Sequence, residues 1–139
     1  MTDEPFDAGA NSALEDVLIT EQLTRRSARA PDHETEARML GMLARRLAHA
    51  PARLLEQVAD AAMSLCHADA AAVAIVERGE EEPMLRWHAV AGACATRLGA
   101  RAPLHASPEG VALRSETVEL FERPGRYFPL LRGATPPIH

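Results

Sequence analysis

Between Ala70 and Gly92 the chain carries two runs of apolar alternation, Ala72–Glu77 and Met84–Val90, on either side of a polar segment containing Gly79 and Pro83. A period of two with turn formers between the runs predicts a β-hairpin with an extended loop. An isolated hairpin is marginal in water, so other elements must cover one of its faces. On the second run Leu85, Trp87 and Ala89 share one face, and Met84, Arg86, His88 and Val90 the other. Trp87 is therefore expected to point inward. The preceding helix is expected to lie across the sheet, covering Val73 and Ile75 or the opposite parity. The class implied is α+β.

Everything ahead of the hairpin reads as helical. Met1–Asn11 is acidic, with Gly9, Pro5 and a single bulky residue, Phe6, and is expected to fray. Ser12-Ala-Leu-Glu15 has capping-box spacing, which predicts a first helix running to the stop at Pro31. Its narrow stripe of Leu14, Val17 and Leu18 suits either core packing or a dimer contact. Residues 1–31 thus form a tail and helix, and 32–139 the domain proper. Asp32 caps a second helix in which Leu40, Leu43, Ala44 and Leu47 recur at helical spacing, with Glu34 and Glu36 in the first turn. Pro51 opens a third, patterned by Leu54, Leu55, Val58, Ala61, Ala62 and Leu65 up to Cys66. Further on, Ser107-Pro108-Glu109 predicts a short capped helix to about Arg114, Thr117–Glu122 a third strand, and Tyr127 with Phe128 a pair of buried anchors.

Composition narrows the function classes. The 139 residues carry a net charge of −5, and all 15 basic residues are Arg, dispersed rather than clustered. No stripe for neutralising phosphates results, so nucleic acid is not an expected partner. No charged-then-apolar leader and no membrane-length apolar run are present, and the two cysteines, Cys66 and Cys94, read as free thiols, so the expected setting is cytoplasmic and away from membranes. Cys66, His67, His88, Cys94 and His105 lack the close spacing that fixes metal ligands on one turn, and no metal site is expected. Cys66 is expected to pack as a small apolar residue at its helix end, with His67 beside it in solvent. Aromatics make up only 4% of the chain, so the core should be thin and rich in Ala and Leu.

Three stretches together resemble the GAF domains at the N-termini of bacterial sensor histidine kinases. They are Pro31–Leu40 with the run from Leu65 to Val76, then Leu85–Gly92, and then Ser107-Pro-Glu-Gly110 with Arg123-Pro-Gly-Arg-Tyr-Phe-Pro-Leu130. The sequence departs from that pattern at Glu109, where relatives tend to have Cys, and it ends at His139, where relatives continue into another strand. The resemblance therefore implies an incomplete GAF-like antiparallel sheet, prone to self-association through its open edge.

It also implies a non-catalytic sensory or regulatory input module of two-component signalling, binding a small effector, making dimer contacts, or both. Its partner would be a second copy or a related signalling protein. The pocket implied is bounded by Trp87, His88, Arg101, His105 and Ser107, with Arg101 or the helix N-terminus receiving an anionic group. No cofactor is specified. One alternative is a ligand-free interaction module using the N-terminal helix and the sheet edge. Another is a cysteine-dependent methionine sulfoxide reductase, for which Cys94, followed by Arg97, is the candidate thiol.

Overall fold

A computed structural model describes residues 13–132. The acidic tail, the Ser12 cap and the segment after Arg132 lie outside the described residues. The chain divides into two compact units, one from Ser27 to Leu104 and the other from the segments on either side of it. The sequence suggests one boundary, after Pro31, between a tail with its helix and the domain proper; the two compact units divide at Arg26/Ser27 and after Leu104.

The Ser27–Leu104 unit is the α+β part. Helix α1 (His33–His49) begins where the Asp32 carboxylate accepts from the Thr35 N–H at 3.0 Å, and a 3-10 turn (Pro51–Arg53) leads into α2 (Leu54–Cys66). Helix α2 ends with His67 in the left-handed conformation, its N–H bonded to the Ser64 carbonyl while Ala68 N–H reaches the Met63 carbonyl. Those two bonds satisfy carbonyls that the helix end would otherwise orphan. Strands β1 (Ala70–Glu77), β2 (Met84–Gly92) and β3 (Arg101–Pro103) form an antiparallel sheet in that order. The hairpin is as expected. The third strand is not Thr117–Glu122, however; the main chain of Met84–Arg86 pairs with Arg101–Pro103 instead.

Helix α2 covers the sheet through small residues. Ala59 packs on Ala89 and Ala91, with Leu55, Met63, Ala71 and Val73 around them. Alanine on both surfaces lets helix and sheet approach closely, and the thin core expected from the composition is realised here. Leu85, Trp87, Ala89 and Ala91 are all buried, so β2 keeps strict alternation and Trp87 does lie inward. β1 does not keep it. The pairing slips between Val73 and Ala74: Val73 faces Ala89 but Ala74 faces Trp87, and His88 has no opposite residue. A slip of one residue reverses the face of everything beyond it. Val73 therefore packs under α2 while Ile75 is turned outward beside Arg86, so neither sequence-derived parity holds along the whole strand.

In this unit the covered face of α1 is set by its neighbour, and one further expectation fails. Leu40, Ala44 and Leu47 of α1 are exposed, and Met39, Met42 and Leu43 are the half-buried ones, because the position of α2 decides which face of α1 is covered. Cys66 is exposed rather than packed, since the reversal at His67 leaves it on the rim of α2.

In the other unit the first helix of the sequence reading is replaced by two 3-10 turns, Leu14–Asp16 and Thr20–Thr24. Between them Leu18 forms an isolated antiparallel bridge with Phe121, and the Ile19 and Glu122 N–H groups bond to the Leu120 and Val17 carbonyls at 2.8 Å. Long-range pairing has taken backbone donors that a helix would have used. Helix α3 (Pro108–Ser115) is capped as expected by Ser107, whose hydroxyl accepts from Gly110 N–H at 3.1 Å. Phe128 is 1% exposed and meets Phe121 and Tyr127 edge to face, at centroid distances of 5.7 and 4.8 Å. Of the two anchors, Phe128 is the buried one and Tyr127 is half-buried.

Candidate functional site

The residues proposed for an effector pocket fall into two sets. Trp87, His88 and Arg101 belong to the sheet unit, whereas His105 and Ser107 belong to the other. Within the sheet, Trp87 and His88 are neighbours on one strand and project to opposite faces: Trp87 is buried on the α2 side and His88 is exposed on the other. The main chain on one side of Trp87 is tied down as well, by its N–H to the Ala100 carbonyl (3.1 Å) and by Gly99 N–H to its own carbonyl (2.8 Å). Trp87 and His88 therefore line no common surface: Trp87 is a core residue and His88 a surface residue.

Arg101 lies on the outer face, opposite Arg86 in the β2–β3 register. Between their guanidinium groups sits Glu77, with one carboxylate oxygen 2.8 Å from Arg101 Nη2 and the other 3.5 Å from Arg86 Nη1. Two like charges directly across a strand pair repel, and the shared carboxylate offsets that repulsion. The charge that was to receive an anionic ligand already has an anionic partner in the chain. Glu77 was not foreseen, although its place at the end of β1, facing Met84, puts it within reach of both arginines.

Ser107 is fully buried and its hydroxyl is used as the α3 cap, while His105 is exposed. The Cys94 thiol donates to the Ala71 and Ala91 carbonyls, each at 3.5 Å, and is partly buried at the end of the hairpin. Among the described residues, no three His, Cys, Asp or Glu side chains converge as metal ligands. No described helix is long and apolar enough to cross a membrane.

Of the residues proposed for a dimer contact, Val17 is 0% exposed and Leu14 and Leu18 are half-buried. Val17 is thus a core residue, as the core-packing alternative for that stripe has it. The chain matches no family model, no curated protein and no solved structure.

The surface that geometry singles out lies elsewhere, on α1. None of the helix's 17 residues is buried, and Ala37, Leu40, Ala44 and Leu47 form a line along its open side. Leu40 and Leu47 are 66% and 57% exposed. Scattered surface leucines are ordinary, but four apolar residues spaced three, four and three apart form a seam. That spacing was visible in the sequence, where Leu40, Ala44 and Leu47 recur at helical intervals.

Proposed function

We propose that this chain is a non-catalytic, GAF-like input module of a signalling system, and that it works through contact with another protein chain. One observation carries the reading: the longest helix of the sheet unit keeps an apolar seam of Ala37, Leu40, Ala44 and Leu47 outside the core. The open edge of the sheet supports it too, since β1 has a hydrogen-bonded neighbour on one side only among the described residues. A signal passes through such a contact if the two arrangements of the helices it joins differ in stability, which a partner or effector can bias.

Light scattering across a concentration series tests the proposal. The expected result is a mass that rises above that of one chain and falls back when Leu40→Glu and Leu47→Glu are introduced together. Both positions are exposed, so the variant should keep the wild-type melt. A monomeric mass throughout overturns the proposal. So does dithiothreitol-dependent reduction of methionine sulfoxide by the purified chain, which would make Cys94 a catalytic thiol.

A further inference from the structure

Resting on that reading, we propose that the chain docked on α1 is a second copy of this one, lying antiparallel, with Leu40 against Ala44 and Ala37 against Leu47 of the other copy. Three properties of the helix point to this orientation. The first is volume. With the helices antiparallel about Met42, every layer of the seam pairs one leucine with one alanine, so the axes stay evenly and closely spaced. In a parallel pair, leucine meets leucine and alanine meets alanine in alternate layers. The leucine layers then hold the helices apart, and the alanine layers lose their contacts.

The second is charge. Asp32, Glu34 and Glu36 outnumber Arg38 at the start of α1, while Arg45, Arg46 and His49 stand at its end. Antiparallel docking brings the end of net negative charge level with the end of net positive charge, with Arg38 level with Arg46 of the other copy, whereas a parallel pair sets like net charges level at both ends. The third is the helix dipole, whose ends carry opposite partial charges, so that antiparallel neighbours attract. All three favour the same orientation, which the apolar spacing alone would leave open.

The contact is small. A helix of 17 residues is about 25 Å long, and a seam of four residues is well below the roughly 800 Å² per partner of a standard interface. The dimer should therefore be weak and dependent on concentration.

Orientation is tested with two full-length variants, Ala37→Cys and Leu47→Cys, both in a background carrying Cys66→Ser and Cys94→Ser. They are mixed in equal amounts and treated with a short bismaleimide. The antiparallel dimer brings position 37 of one copy to position 47 of the other, so the mixed product should form while each variant alone gives no crosslink. In that dimer two cysteines at position 37 lie about 15 Å apart along the seam. Like-with-like products in place of the mixed one would mean a parallel pair and would overturn the orientation while leaving self-association intact. If the wild-type mass rises but neither crosslink forms, α1 is not the seam and the proposal fails. A monomeric wild-type chain up to about 1 mM overturns both this inference and the function it rests on.

Discussion

Gly92→Ala should be the most damaging single-methyl change in the hairpin. Gly92 closes β2 at a φ of +67°, and a Cβ built there would lie 2.2 Å from the Asp69 carbonyl oxygen and 2.7 Å from Met63 Sδ. The sulfur belongs to a flexible side chain and can move. The carbonyl cannot do so cheaply, because it accepts from Ala93 N–H at 3.0 Å and forms part of the link between α2 and β1. The left-handed conformation costs a non-glycine residue about 1–2 kcal/mol, and forcing the backbone apart adds roughly 1–3 kcal/mol. The expected loss is therefore about 2–5 kcal/mol, a large share of a typical domain's stability.

Urea unfolding followed by circular dichroism measures this loss, and Gly99→Ala is the informative control. Gly99 has a φ of +77° but open space around its Cβ position, so it should show the conformational cost alone, about 1–2 kcal/mol. If the two variants lose equal stability, the close approach of β2's end to Asp69 is wrong. Gly92→Ala within about 0.5 kcal/mol of wild type would refute the left-handed turn as well.

Two further outcomes concern the other unit. Ser107→Ala removes the α3 cap from a fully buried position and should lower stability by about 1 kcal/mol, read from the same urea curves; no change would mean that the Gly110 N–H finds another acceptor. Hydrogen bonds from the Ser115 and Thr20 hydroxyls hold the Glu119 carboxyl below its ordinary value of 4.5, outweighing the opposing effect of partial desolvation. A carboxylate with a lowered folded-state value stabilises the fold above pH 4.5 and loses that contribution as pH falls through the folded value. Glu119→Gln should accordingly flatten the acid limb of stability below pH 4.5, and a carboxyl resonance that titrates at or above 4.5 would refute the assignment.

What the sequence made legible is what short-range chemistry determines. Asp32 and Ser107 each offer an oxygen to a backbone N–H three residues on, and both helices begin there. The alternation from Leu85 to Ala91 is a property of one strand, and it survives intact. Features that depend on a distant partner were not legible. Leu14, Val17 and Leu18 have helical spacing, but Leu18 instead meets Phe121, more than a hundred residues away, and tertiary pairing overrides local preference. The slip between Val73 and Ala74 cannot be read from β1, because it arises from one more residue on β2. Arg101–Pro103 is too short to announce itself as a strand, and Pro103 can end it because an edge position needs no donor there.

The seam on α1 follows from the same alanine-rich packing that makes the core thin. Ala59 of α2 settles on Ala89 and Ala91, so the helix sits close to the sheet and the interior is filled without a contribution from Leu40 or Leu47. Burying a leucine side chain is worth roughly 1.5–3 kcal/mol, and the chain forgoes most of that at both positions when it is alone. A rotation of α1 that buried them would expose Met39, Met42 and Leu43 instead, with no net gain in apolar burial. Only a second apolar surface recovers it. Because Ala37 and Ala44 interrupt the leucines, a surface with the same alternation run in reverse fits best, and the helix itself carries one. The same four residues therefore explain why α1 is left half-covered in one chain and what would cover it in two.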